Sequence, residues 1–263
     1  MVTLAGDLAE DEVMTGGEGV DELRFAATVA STLTLTEGVE VDSVVIGTGT
    51  LAAAITTGTV ALNVNAALAA NALSITGNAG ANQLTGSGYD DTLIGGGGND
   101  TLVGGEGDDV LTGGLGVDFA SYAAADEDLV LSLAGGSLTS SAFGTDTFSE
   151  IEGLIGGSGN DSLTGSSGAN LLYGGEGDDT LDGGAGNDVL RGDGGTDTAS
   201  YASASAGVTV NLALTTAQVT LGAGTDTLSL IENLTGSIYA DTLTGSSGAN
   251  LLDGGEGNDV LTG

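Results

Sequence analysis

The chain has 263 residues, 37 acidic side chains against 2 basic ones, a net charge of −35, and no His, Cys, Pro or Trp. Neutralising phosphates needs cations, so nucleic acid and anionic membrane surfaces are excluded as partners. The absence of cysteine rules out disulfides and thiolate metal sites, and the usual nucleophile–base pairs of catalysis have no base to draw on.

Charge of this size normally accompanies disorder, but disorder also requires low hydrophobicity. Here 40% of residues are apolar and mean hydropathy is +0.24, so the chain can bury surface. Only 3% are aromatic, which predicts a thin aliphatic core. A packed chain with this much uncompensated charge calls for a cationic component that the sequence does not supply. The opening MVTLAGDLAEDEVM has neither a basic nor an apolar leader region, and reads as no secretory signal peptide. No apolar run approaches the ~18 residues of a membrane span, so membrane insertion is not expected.

Residues 1–76 are rich in Ala, Thr, Val and Leu. They contain one nonapeptide-like block, Gly16–Arg24 (GGEGVDELR), with Asp21 sixth and Leu23 eighth. Thr32–Thr36, Ser43–Ile46, Ala61–Val64 and Leu73–Ile75 are short Thr- and Val-rich runs bounded by Gly and Asn, and they predict strands. Val44 and Leu62 are separated by twice nine positions, which predicts β-helix rungs stepping at two blocks per coil.

From Gly77 the nine-residue period is explicit. Array one covers 77–121, array two 156–200 and array three 236–263. A typical pair of blocks is Gly95–Val103 (GGGGNDTLV) and Gly104–Thr112 (GGEGDDVLT), with Gly at positions 1, 2 and 4, Asp at 6 and an aliphatic residue at 8. Position 8 is Leu throughout, except at Ala120 and Ala199, each in the block before an interruption. The interruptions, 122–155 and 201–235, resemble each other: Tyr122 matches Tyr201, Asp146 matches Asp226 and Glu152 matches Glu232.

Each block divides into a turn and a strand. Glycine admits the positive φ of a tight turn, and the position 8 side chain points inward between outward neighbours. Two blocks form one coil, and stacked coils lie ~4.8 Å apart. Asp residues two blocks apart then face one another: Asp91 with Asp109, Asp100 with Asp118, Asp161 with Asp179, Asp179 with Asp197, and Asp241 with Asp259. Facing carboxylates with backbone carbonyls offer an all-oxygen donor set, which favours Ca2+ over zinc, copper or magnesium. Without metal each pair repels by about 1 kcal/mol in water and more when desolvated. Summed over the arrays, this rivals a domain's stability of about 5–15 kcal/mol, so the metal-free arrays are expected to be disordered.

The repeated GGxGxD followed by x-Leu-x resembles the RTX (repeats-in-toxin) calcium-binding nonapeptide. The resemblance covers the three arrays, nearly half the chain, with 16–24 as a further candidate. It implies an all-β fold, a right-handed parallel β-roll or β-helix solenoid, binding multiple Ca2+ ions and folding after type I secretion to the cell exterior. By position in the motif it gives the ligand role to Asp91, Asp100, Asp109, Asp118, Asp161, Asp179, Asp188, Asp197, Asp241 and Asp259, with Asp21 from the early block. Asn82, Asn170 and Asn250 stand at the same position and read equally as weak ligands or as turn residues. Tyr89 and Tyr239 replace the position 4 glycine, which predicts distorted first turns in arrays one and three.

Asp146 and Asp226 are either ligands at the ends of arrays or surface turns. Glu152 and Glu232 read as hydrogen-bonding groups where the chain returns to the array, and Tyr122 and Tyr201 as apolar plugs. The expected function is a secreted, non-enzymatic, structural or adhesive calcium-binding module of surface-layer or adhesin type, with self-association or cell-surface polysaccharide as partners. The alternative is the C-terminal secretion and folding module of an extracellular hydrolase, protease or epimerase.

Overall fold

The computed structural model describes residues 2–5, 20–26, 29–36, 41–46, 48–50, 53–140 and 142–263. Among these residues every regular element is a strand, and most span only three positions. The array sequence explains this directly. In Thr101–Val103 the central Leu102 is buried and its neighbours are half-buried, and the same pattern recurs in Ser162–Thr164 and Ser74–Thr76. In four array strands, Thr92–Gly97, Val110–Leu115, Leu171–Glu176 and Val189–Gly194, pairing extends into the glycine turn, and elsewhere in the arrays the turn follows within three residues.

The strands assemble into two compact units, Met1–Ser121 with Thr139–Ile151, and Tyr122–Leu138 with Glu152–Gly263. In the first unit, one parallel ladder runs through Glu22–Ala26, Ser43–Ile46, Ser74–Thr76, Thr92–Gly97, Val110–Leu115 and Gly144–Ser149. The strands between them in sequence, Ser31–Thr34, Leu62–Asn65, Gln83–Thr85, Thr101–Val103 and Phe119–Ser121, form a second. Successive strands therefore alternate between two ladders. The second unit repeats the arrangement, with Ser162–Thr164, Thr180–Asp182 and Thr198–Ser200 in one ladder and Leu171–Glu176 and Val189–Gly194 in another. This is the all-β parallel β-roll that the repeats predict.

Register follows the expected step. Leu93 pairs with Leu111, Leu84 with Leu102, Leu163 with Leu181, and Leu172 with Leu190, each pair two blocks apart. All eight are 0% exposed, so the core of each unit is a pair of stacked leucine files. Burying each stabilises the fold by about 1.5–3 kcal/mol. Ala120 and Ala199 continue the files and are equally buried, and Tyr122 and Tyr201 are buried as well.

The N-terminal region also forms rungs, but not at the expected step. Val44 and Leu62 do not stack on each other. Val44 pairs with Leu23 and Ile75, whereas Leu62 pairs with Ser31 in the other ladder. An antiparallel hairpin of Thr48–Thr50 with Ala53–Ile55 lengthens this coil, so the match to two blocks there is coincidental. Of the early block, residues 16–19 lie outside the described residues.

The interruptions are rungs too. Leu131 pairs with Leu163 and Phe148 with Leu111; Val210 pairs with Leu243 and Leu228 with Leu190. Each interruption thus provides one strand that covers the array before it and one that covers the array after it.

Candidate metal centre

The sixth side chains of the blocks line up in files along the turn edges. In every expected pair the backbone N–H of one Asp donates to Oδ1 of the Asp two blocks later. Asp91 donates to Asp109 at 2.8 Å, Asp100 to Asp118 at 2.7 Å, and Asp161 to Asp179 at 2.7 Å. Asp179 donates to Asp197 at 2.9 Å and Asp241 to Asp259 at 3.0 Å. Asp188 accepts the Asn170 N–H at 2.9 Å in the same way. All five pairs expected from spacing are therefore brought together.

The second carboxylate oxygen separates two kinds of block. In Asp91, Asp161 and Asp241, Oδ2 accepts the backbone N–H of the second residue in the block, from Ser87, Gly157 (2.7 Å) and Ser237 (2.6 Å). These blocks are closed on themselves. In Asp100, Asp109, Asp179, Asp188 and Asp197, Oδ2 is buried and has no hydrogen-bond partner. The second residue in each of those blocks, Gly96, Gly105, Gly175, Gly184 or Asp193, has positive φ. The switch in turn conformation accompanies the loss of the local N–H from the carboxylate. A buried acceptor left unmade costs about 1–3 kcal/mol, more when charged, so these oxygens along the files require a partner.

Glycine at position 1 leaves room beside that oxygen. A Cβ on Gly95 would collide with both Asp100 Oδ2 and the Gly113 carbonyl of the next coil. A Cβ on Gly174 would meet Asp179 Oδ2 and the Gly192 carbonyl, and one on Gly192 would meet Asp197 Oδ2 and the Leu230 carbonyl. A carboxylate oxygen and a carbonyl oxygen from adjacent coils thus converge on one recess. Among the described residues no three carboxylates cluster, and each of these recesses brings one carboxylate oxygen to one backbone carbonyl.

Electrostatics point the same way. Burial, with neighbouring carboxylates adding, pushes Asp109 and Asp179 up to about 7 and Asp100 and Asp188 to about 6. Asp91, Asp161, Asp197 and Asp226 are also raised, chiefly by burial. The two arginines do not relieve this, since Arg24 pairs with Glu22 and Arg191 with Asp193. The files carry buried acidic groups that neither arginine pairs with.

A family model of the RTX calcium-binding nonapeptide repeat matches residues 85–120, 154–181, 164–199 and 232–263. The matched stretches are RTX repeats. RTX repeats bind calcium, and the unbonded Oδ2 atoms beside glycine recesses fit a hard cation with an all-oxygen shell. A comparison with curated proteins returned no match.

The remaining expected residues fall into place around the RTX files. Asn82, Asn170 and Asn250 each accept a position 2 N–H on Oδ1, from Asn78, Ser166 and Ser246. Each donates Nδ2 to a carbonyl of the preceding coil: Leu62 at 2.7 Å, Glu152 at 3.2 Å and Glu232 at 2.7 Å. These amides are satisfied within the protein. Asp21 is half-buried and donates its N–H to Asp42 Oδ2 at 2.7 Å, the relation that links the Asp pairs of the arrays. Tyr89 and Tyr239 are exposed and lack the positive φ of Gly98 and Gly107, but so does Gly159 at the same position of its block, so the turn path does not come from the tyrosines.

Sequence reasoning leaves Asp146 and Asp226 open between file and surface turn, and reads Glu232 as a hydrogen-bonding group at the return to the array. Asp146 and Asp226 are buried and accept the N–H of Asp109 and Asp188. Glu232 Oε2 accepts the Asp197 N–H at 2.9 Å. The available signal was Gly-Thr-Asp-Thr at Gly144–Thr147 and Gly224–Thr227, which keeps Gly two places before Asp as the repeats do.

Proposed function

We propose that this chain is a secreted, calcium-stapled β-roll that acts as a structural or adhesive module of surface-layer or adhesin type. Calcium ions occupy the recesses between adjacent coils, held by Asp91, Asp100, Asp109, Asp118, Asp161, Asp179, Asp188, Asp197, Asp241 and Asp259 with turn carbonyls. Asn82, Asn170 and Asn250 are end-pieces in this reading: each amide donates to a carbonyl in the direction that a cation would face, and closes its file without metal.

The observation that carries the proposal is the set of buried, unbonded Oδ2 atoms of Asp100, Asp109, Asp179, Asp188 and Asp197, aligned beside glycine recesses. A chain with net charge −35 folds compactly only if those charges are neutralised, and millimolar calcium outside the cell supplies the cation. A non-catalytic role is supported by the lack of His, Cys and Lys. The Cys-free and Lys-free, Thr- and Ala-rich composition suits an extended extracellular scaffold that associates with itself or with surface polysaccharide.

Circular dichroism with chelator and with added calcium tests the folding claim: a β-rich spectrum should appear only with calcium. An identical β-rich spectrum in chelator would refute it. For the assembly claim, sedimentation over a calcium titration should reveal association, and a monomer at every calcium concentration would remove the surface-layer role.

A further inference from the structure

The RTX matches stop short of Asp146 and Asp226, which lie in the two interruptions. Both nevertheless sit on the metal-facing files. Asp109 and Asp188 are the last array residues of their files, and their N–H groups donate to Asp146 Oδ1 at 2.9 Å and Asp226 Oδ1 at 3.1 Å. The sequence separations are 37 and 38, yet the local geometry is that of the two-block step. Thr147 and Thr227 donate to the Asp109 and Asp188 carbonyls at 2.8 and 2.7 Å, as Val110 does to Asp91 at 2.9 Å.

The turns match as well. Gly144 and Gly224 have positive φ, and a Cβ on them would strike the Gly107 and Gly186 carbonyls, as one on Gly116 would strike Gly98. The position 5 contacts continue also, with the Thr145 N–H on Asp108 Oδ1 and the Thr225 N–H on Asn187 Oδ1. Asp146 is 0% and Asp226 1% exposed, which excludes a surface-turn role. Independently of this acidic pairing, Asp109 Oδ2 and Asp188 Oδ2 are buried and unbonded. Two carboxylates face each other in each gap, with one oxygen of the array Asp unmet.

We propose that the interruptions contribute two divalent-cation sites beyond the repeats, one between Asp109 and Asp146 and one between Asp188 and Asp226. This rests on the calcium reading given above. The interruptions then do not break the metal files but terminate them, each with a carboxylate delivered by a long excursion of the chain. Tyr201 marks the second site. Its buried hydroxyl lies beside Asp226, whose Oδ2 accepts the Thr220 hydroxyl at 3.0 Å.

The test is calcium counting on the full chain by native mass spectrometry and isothermal titration, for wild type, Asp146→Asn, Asp226→Asn and the exposed control Asp126→Asn. Asparagine keeps the Oδ1 acceptor and replaces the second, charged oxygen by an N–H donor. Each ladder variant should lose one bound ion and the double variant two, with none lost in the control. Unchanged counts and affinities in both ladder variants would overturn the proposal and leave the calcium reading standing. A wild type that binds no calcium would overturn both.

Terbium luminescence excited through tyrosine provides a measurement that does not depend on how the Asn variants fold. Emission should fall in Tyr201→Phe, because the ion sits beside that ring. Emission unaffected by Tyr201→Phe would overturn the second site.

Discussion

The Asp100 N–H donates to Asp118 Oδ1 at 2.7 Å across one coil, whereas Asp109, a single block along from Asp100, is bonded to Asp91 and Asp146. Neighbouring blocks in sequence therefore lie on opposite edges, and neighbours in a file are two blocks apart. Each file is a line of buried like charges, and its behaviour with and without a counter-ion follows from that line.

Asp179→Asn should have opposite effects in the two states. Asp179 is buried, with one oxygen unbonded, and its carboxyl is pushed up to about 7. Removing the charge should stabilise any folded metal-free form by about 2–4 kcal/mol, since a tenfold change in proton affinity corresponds to ~1.4 kcal/mol. With calcium the same change should lower thermal stability and weaken binding. Thermal melts in chelator and in calcium check this, and a loss of stability in both would count against the charge argument.

The pH dependence has a definite sign. A carboxyl raised in the fold binds its proton more tightly there than in the unfolded chain, so protonation stabilises the metal-free fold. That stabilisation is fully present below the ordinary value of 3.8 and is lost as pH rises through about 6 for Asp100 and Asp188 and about 7 for Asp109 and Asp179. In chelator the fold should melt higher at mildly acidic pH than at pH ~8. Calcium affinity should rise over the same window, because the protons must leave before the metal binds.

Gly105→Ala should disable the gap between Asp91 and Asp109. Gly105 has φ +119, and a Cβ there would run into the Ser87 carbonyl of the coil below. The strain and the clash together should cost more than about 2 kcal/mol. Gly88→Ala is the comparison, since a Cβ at Gly88 meets nothing within 4 Å. Calcium titration of the two variants should show one ion lost in the first and none in the second.

Asn170→Asp separates end-pieces from ligands. Asn170 Nδ2 donates to the Glu152 carbonyl, and a carboxylate would place oxygen against oxygen there. In chelator the variant should be destabilised by about 1–3 kcal/mol through the lost donor and the added buried charge. A calcium titration that gains an ion would show that the amide stands in for a cation.

Much of this was legible because it is local. Position 8 leucines such as Leu102 are inward for any nine-residue turn–strand unit, and the Asp91–Asp109 and Asp100–Asp118 pairings follow from two units per coil. Long-range stacking was less legible. Val44 and Leu62 have the right spacing and the wrong ladder, since the hairpin at Thr48–Ile55 lengthens the coil between them. Asp146 and Asp226 have the wrong spacing and the right file, since the excursions before them first lend a strand to the following array, Leu131 against Leu163 and Val210 against Leu243, before the chain returns.

The sequence by itself determined the coil period, the leucine core, the acidic edges and the need for a cation, all of which repeat with every block and need no distant contact. Tertiary structure alone decided which carboxylate oxygens are closed by their own turn, as in Asp91, and which stay open, as in Asp179. It also decided that residues outside the repeats complete the files. Both outcomes depend on which coil lies above and below a given turn, and stacking sets that.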